Sequence, residues 1–298
     1  MHKNPARLQL SVACGLAVLA LSCSAILIRW TDAPAVTIAF YRLAGSAAVL
    51  LSASGGSTQS RPRFRDVWGM ALSGVFLAGH FGLWIASLRY SSVAVSVLLV
   101  SLHPLLVGAA GPVMGDRLPS GFFLSLLLVL PGLVLTVLGR ADGSGAVATS
   151  GIGIALSLGG MVMMAGYLLS GRRLRQRLPN RVYAGGTYAA GAVVLFGVAV
   201  AAGTPLFGFS AGDYVLFALL ALIPTLLGHT VLNWALGYVS AAGVSVLYLG
   251  EPVGAAVLAA VLLGELPGAG VIAGGTLVLG GLYIVSRSIE PVIRQVET

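Results

Sequence analysis

The residue pattern predicts an all-α membrane protein of ten transmembrane helices, arranged as two inverted five-helix repeats over residues 1–145 and 146–298. Composition is the first ground for this. Charged residues make up 9% of the 298 and hydrophobic ones 57%, against roughly 25% charged in an average soluble domain. A water-soluble fold could not cover itself with so little polar surface. The second ground is a series of apolar runs near the ~20 residues that a bilayer core requires. The third is internal repetition at an offset of 148 residues. Leu88, Tyr90, Ser92, Ala94, Leu99, Pro104, Leu118, Pro119, Gly132 and Val137 recur as Leu236, Tyr238, Ser240, Ala242, Leu247, Pro252, Leu266, Pro267, Gly280 and Val285. The self-similarity is weak in so Gly- and Ala-rich a chain, but the prolines keep register with the turns.

In order, the spans fall at about 9–30, 34–53, 67–88, 91–114, 120–139, 150–171, 182–203, 212–236, 240–263 and 268–286. Five per half is an odd number, so the second copy enters the bilayer from the opposite side, as in the inverted repeats of many carriers. The first span contains Cys14 and Cys23, which read as small packing residues and not as a disulfide framework. The fifth, with Phe122, Phe123, a leucine run and Pro131-Gly132, and the tenth, with Gly270, Gly274, Gly275, Gly280 and Gly281, have no internal charge. They read as scaffold helices that meet through small residues. Only 54–65 and 172–181 are clearly polar linkers, which leaves no room for an extramembrane catalytic or DNA-binding domain. The net charge of +8 is therefore no nucleic-acid footprint, and the lipid bilayer is the expected surrounding. Nothing in the chain asks for an oligomer, so a monomer is expected.

Basic residues are distributed unevenly. Lys3, Arg7, Arg61, Arg63, Arg65, Arg117, Arg172, Arg173, Arg175, Arg177, Arg181, Arg287 and Arg294 share the face of the N-terminus, whereas Arg29, Arg89 and Arg140 lie on the other. The positive-inside rule then predicts cytoplasmic termini. A cleaved signal peptide is the rival reading of residues 1–28, but its apolar run is long for an h-region and no clean cleavage site follows. A single lysine against 16 arginines and the lack of any Asn-x-Ser/Thr sequon fit a bacterial inner membrane.

Polar residues inside spans are costly and tend to face a bundle interior or a wet cavity, so they are the candidates for function. His80 and Trp84 in the third span are four apart, on one stripe of a helix. His229 and Asn233 repeat the spacing in the eighth, one position off the 148 offset. Inverted helices would bring one imidazole each toward a common site; alternatively each histidine only bonds a neighbouring helix. The fourth and ninth spans carry His103-Pro104 and Glu251-Pro252, equivalent by the offset. Proline has no N–H to give the carbonyl four back, so Val100 and Tyr248 lose their helical partners there. Tyr248 and Glu251, three apart, share a face. Arg42 in the second span is placed to meet a substrate carboxylate, to pair with Glu251, or to snorkel to the interface. Met163, Met164 and Tyr167 in the sixth span, with Trp30 ending the first, offer surface to a bulky side chain, or are simply core.

The turns Gly115-Asp116-Arg117-Leu118-Pro119 and Gly264-Glu265-Leu266-Pro267, each following a Tyr-x-Ser-x-Ala helix that runs to a proline, resemble the paired repeats of EamA-type carriers in the drug/metabolite transporter superfamily. The resemblance spans nearly the whole chain. Within that family the chain is similar to the bacterial aromatic-amino-acid exporters of the YddG type. The resemblance implies ten helices, a central cavity between the halves, and peripheral fifth and tenth helices.

The expected function is then export, by alternating access, of small amphipathic metabolites, amino acids including aromatic ones. A multidrug or nucleotide-sugar-like carrier is the alternative. His80, Trp84, His103, Met163, Tyr167, His229, Asn233, Tyr248, Glu251 and Arg42 are the candidate substrate residues. An intramembrane enzyme is the remote alternative, since the chain has no His-Glu-x-x-His, no Gly-x-Ser-x-Gly and no metal-ligand spacing among its four histidines. No metal and no cofactor are expected. The first-half counterpart of Glu251 is His103, so no symmetric carboxylate pair can share a proton. Facilitated movement with a structural Glu251 is expected.

Overall fold

The structure, a computed structural model, describes residues 7–52, 62–111, 121–138 and 148–295. The Gly115–Pro119 turn and the loop around Asp142 lie outside them, as do Lys3, Arg61, Arg117 and Arg140. The described residues form helices and connections with no strand. In chain order the helices are α1 (Arg7–Ser22), α2 (Ser24–Arg29), α3 (Ala35–Ser52), α4 (Phe64–Ser87), α5 (Val93–Val100), α6 (His103–Ala110), α7 (Phe122–Leu138), α8 (Gly151–Arg175), α9 (Asn180–Ala201), α10 (Ala211–Leu220), a π-helical segment (Ala221–His229), α11 (Thr230–Ala235), α12 (Ala241–Leu247), α13 (Gly250–Leu263) and α14 (Ala269–Gln295). Among the described residues, eight stretches are long and apolar enough to cross a bilayer: Leu8–Arg29, Ala35–Ser52, Phe64–Ser87, Val93–Ala110, Gly151–Arg175, Asn180–Ala201, Ala211–Ala235 and Ala241–Leu263. The other two expected spans coincide with α7, of 17 residues, and with the apolar 269–281 part of α14.

Four of the long stretches are interrupted, each for a local chemical reason. Between α1 and α2, Ser22 Oγ and Cys23 Sγ donate to the carbonyls of Val18 and Leu19, four residues back, a pattern that bends helices. Between α5 and α6, and between α12 and α13, the break falls just before Pro104 and Pro252. Both broken spans begin with a matching serine cap, Ser92 Oγ accepting from Val95 N–H and Ser240 Oγ from Gly243 N–H. Pro224 lies within the π-helical segment and cannot donate to the Leu220 carbonyl. Thr225 Oγ1 donates to it instead, at 2.8 Å.

The helices pair as α4 with α8, α3 with α9, α7 with α14, α1 with the π-helical segment, α5 with α13, and α6 with α12. Close approach requires glycine at two crossings. A methyl on Gly132 of α7 would sit 2.7 Å from the Gly274 carbonyl oxygen of α14, and one on Gly74 of α4 would meet the Thr187 carbonyl of α9 at 2.7 Å. At the end of α13, Gly264 takes the left-handed conformation (φ 69°) that a helix C-terminus favours, and Glu265 N–H returns to the Ala259 carbonyl. The core holds Leu43, Leu77, Phe81, Trp84, Tyr167, Tyr183, Tyr188 and Tyr248. Leu8, Leu16, Leu19, Trp68, Val193, Val200, Val257 and Val261 are exposed on the outside, as lipid-facing positions are.

Candidate substrate-binding site

Arg42 sits at the centre of the bundle, 0% exposed. It does not snorkel, because the surrounding helices enclose it and supply its partners. Nε donates to Thr225 Oγ1 at 2.7 Å and Nη1 to Ser24 Oγ at 2.8 Å. The guanidinium carbon lies 4.0 Å above the Phe81 ring and 6.0 Å from Trp84, within cation–π range. Nη2 is buried without a partner. Glu251 is half-buried at the start of α13, and no ion pair within 4.0 Å joins it to Arg42.

Around this cation the aromatic and imidazole rings form a continuous chain. His80 of α4 and His229 of the π-helical segment approach to 6.2 Å between centroids. His80 lies parallel to Trp84 at 6.0 Å, Phe81 meets His229 at 5.1 Å, and Tyr248 is 5.6 Å from His229 and 5.5 Å from His103. Carbonyls can only accept, so His80 Nδ1 donates to Gly160 O and His103 Nδ1 to Val100 O, both at 3.0 Å. The second bond caps the carbonyl that Pro104 leaves without a helical donor. In the other half the freed Tyr248 carbonyl accepts from the Glu251 backbone N–H at 3.0 Å, which leaves the Glu251 side chain uncommitted to the break. Tyr248 Oη bonds His229 Nδ1 at 3.1 Å; Tyr167 Oη donates to Asn233 Oδ1 at 2.7 Å, and Asn233 Nδ2 to Tyr188 Oη at 3.2 Å.

Three buried polar atoms of the cluster have no partner: the donors Arg42 Nη2 and Trp84 Nε1, and His103 Nε2. In neutral His103, with hydrogen on Nδ1, Nε2 is an acceptor. Each such atom costs roughly 1–3 kcal/mol to leave unpaired. Three in one cluster mark a place that a ligand or water would complete.

Polar contacts tie helix ends together on both sides of the cluster. At one, Arg29 pairs with Glu265 at 3.0 Å and donates to Ser91 O, Arg89 donates to the carbonyls of Asp32 and Ala33, and Thr31 Oγ1 donates to Asp213. At the other, Arg172 donates to Leu236 O at 2.8 Å and Arg175 to the carbonyls of Asn233 and Leu178.

Residues 11–138 and 151–287 each match the EamA-like transporter family. The chain belongs to that family. Membership makes it a multi-pass membrane protein that transports small molecules. A solved structure titled only "Crystal structure of protein" is 19% identical, with a TM-score of 0.71, over 98% of this chain and 100% of that one; at that identity it speaks for the fold alone. No curated protein matches.

In this EamA-like transporter, Arg42, His80, Trp84, His103, Tyr167, His229, Asn233 and Tyr248 join one network of ring and hydrogen-bond contacts, with Glu251 beside it. Met163 instead packs over Gly79 at the crossing of α4 and α8, with its sulfur 3.1 Å from where a Gly79 methyl would lie. Sequence reading did not single out Ser24, Phe81, Tyr183, Tyr188 or Thr225. The Pro224-Thr225 pair was the available signal for the last, since a hydroxyl beside a mid-span proline is one of the groups that can bond the backbone the proline disturbs. The others are residue types too common in membrane helices to stand out.

Proposed function

We propose that this chain exports small zwitterionic metabolites, amino acids including aromatic ones, across a bacterial inner membrane by alternating access, as YddG-type exporters do. The observation that carries this reading is the set of unpaired groups around Arg42. Arg42 Nη2 and Trp84 Nε1 are donors for a carboxylate. His103 Nε2 and the unpaired Glu251 carboxylate are acceptors for an ammonium group. His80, Phe81 and Tyr248 supply ring faces for a side chain, since aromatic surfaces bind apolar and aromatic groups well. A cation carrier has no use for a buried arginine at the site, which disfavours the multidrug alternative.

Ten spans in two inverted five-helix repeats are part of the same reading. The helix partners support it: exchanging each first-half span for its second-half counterpart turns the α4–α8 pairing into the pairing of α1 with the π-helical segment, and returns α3–α9, α7–α14 and the α5/α6–α12/α13 pairings onto themselves. Any twofold axis has this property, and an odd number of spans in each half is what would lay it in the membrane plane. Cytoplasmic termini follow from the arginine distribution, and the transporting unit is a monomer. Substrate would enter when one end opens and leave when the other does, the halves rocking about the site.

Flux into proteoliposomes tests the reading without any mutation. Phenylalanine should be carried, while phenethylamine, lacking the carboxylate, and phenylpropionate, lacking the ammonium, should each lose about tenfold or more, because a site built to bond a group leaves its own groups unpaired when that group is missing. Phenethylamine carried as well as phenylalanine would point to a cation carrier and sink the proposal. Sugars in the same panel should show no flux.

A further inference from the structure

A second site lies away from the ring cluster, at the end of the molecule where four spans terminate together. There α8 ends at Arg175, α9 begins at Asn180, α11 ends at Ala235 and α12 begins at Ala241. Between them is a cavity of about 450 Å³ lined by Arg175, Arg177, Asn180, Arg181, Trp234 and Tyr238 among others. No carboxylate lines it. Arg175 is buried and holds the wall in place through the carbonyls of Asn233 and Leu178. Arg177 and Arg181 are exposed, so their charge is available to a ligand.

Two further features favour an anion. The 22-residue helix α9 starts at this wall with no side chain capping its first turn, which leaves backbone N–H groups and the positive end of the helix dipole beside the arginines. Trp234 and Tyr238, half-buried and edge to face at 5.3 Å, line the same space. Such rings, apolar in body and polar at one tip, settle where hydrocarbon gives way to headgroups. A soluble anion needs the arginines but not the rings.

We propose that this cavity seats the phosphate of an anionic phospholipid, with Arg177 and Arg181 on the phosphate and Trp234 and Tyr238 against the glycerol and upper acyl chain. Basic pockets between transmembrane helices are suited to such headgroups. The site also touches the transport machinery. The Asn233 carbonyl accepts from Arg175, while the Asn233 side chain joins Tyr167 and Tyr188 in the central network. A bound lipid would therefore brace the end of the eighth span.

The test uses the full chain in phosphatidylcholine nanodiscs doped at one low fraction with brominated phosphatidylglycerol or brominated phosphatidylcholine. Emission from Trp234 is taken as the difference between wild type and Trp234→Phe. Brominated phosphatidylglycerol should quench it at a much lower fraction than brominated phosphatidylcholine. The preference should fall roughly 25-fold in Arg177→Gln/Arg181→Gln, at about fivefold per arginine near an anionic lipid. Both side chains are exposed, so the melting temperature of that variant should match wild type. Equal quenching by the two lipids, or a preference that survives the double substitution, would overturn the proposal. Displacement of the lipid by millimolar inorganic phosphate would assign the pocket to a soluble anion and overturn the lipid. The readout is lipid contact, not flux, so it stands or falls independently of the amino-acid reading.

Discussion

Thr225→Val removes one hydroxyl and keeps the shape of the side chain, and in the structure that hydroxyl makes two bonds. It accepts from the Arg42 guanidinium at 2.7 Å and donates to the Leu220 carbonyl that Pro224 cannot serve at 2.8 Å. Arg42 already has Nη2 unpaired, so the substitution would leave a second guanidinium nitrogen without a partner. The Leu220 carbonyl keeps the i→i+5 bond of the π-helical segment from the Thr225 backbone N–H, so only the two hydroxyl bonds are lost. A hydrogen bond to a charged group contributes about 1.5–3 kcal/mol and one to a neutral carbonyl about 0.5–1.5 kcal/mol, so together the loss is about 2–4.5 kcal/mol. The assay is reversible unfolding of the detergent-solubilised protein in mixed micelles, followed by tryptophan emission. Thr225→Ser keeps the hydroxyl and should stay within about 1 kcal/mol of wild type. In an Arg42→Met background the arginine share disappears, so a double-mutant cycle should return a coupling of about 1.5–3 kcal/mol. Wild-type stability in Thr225→Val, or a serine variant as weak as the valine, would refute the argument that this hydroxyl holds the arginine and the π-helical segment together.

Trp84 is 2% exposed, so its truncation to alanine would leave a cavity costing about 3–5 kcal/mol and confuse folding with transport. Trp84→Phe removes the unpartnered indole N–H and keeps an aromatic ring, and phenylalanine flux in proteoliposomes should fall severalfold while the yield of folded protein holds. Gly132→Ala should destabilise by roughly 1–3 kcal/mol, because its methyl would press on the Gly274 carbonyl at 2.7 Å; detergent melting reads this directly. Reporters fused at the C-terminus should read cytoplasmic, and one in the loop at Asp142 external; a cytoplasmic signal at Asp142 would break the five-plus-five topology. With voltage clamped, an imposed pH gradient should not drive uphill substrate accumulation, and accumulation abolished in Glu251→Gln would show proton coupling instead.

The helices were legible because hydrocarbon imposes a length and a composition on each of them. Where reading and structure part, the reason is local. The sixth span, expected at 150–171, continues as helix to Arg175, because arginines at a helix C-terminus suit its dipole even as they end the apolar run. Pro104 and Pro252 announced the paired breaks, but His103 and Glu251 beside them behave differently, since the His103 ring caps a carbonyl and the Glu251 side chain does not. Arg42 was conspicuous as a charge in a span, but its surroundings were not readable. Its partners, Ser24 and Thr225, are 18 and 183 residues away, and no periodicity connects them. The π-helical segment was equally hidden, since Pro224 signals a disturbance without saying which form it takes.

The helix ends on the two sides of the cluster are fastened by different chemistry. At the Arg29 end the fastening includes a carboxylate, Glu265, facing a guanidinium at 3.0 Å; at the Arg175 end, Arg172 and Arg175 donate to backbone carbonyls. At 17% and 6% side-chain exposure, the Arg29–Glu265 pair is largely shielded from dissolved ions. Its strength rests on the charge of one carboxylate, which the other end does not share. Exchanging that carboxylate for an amide, as in Glu265→Gln, would therefore loosen the Arg29 end alone and leave the carbonyl contacts at the Arg175 end in place.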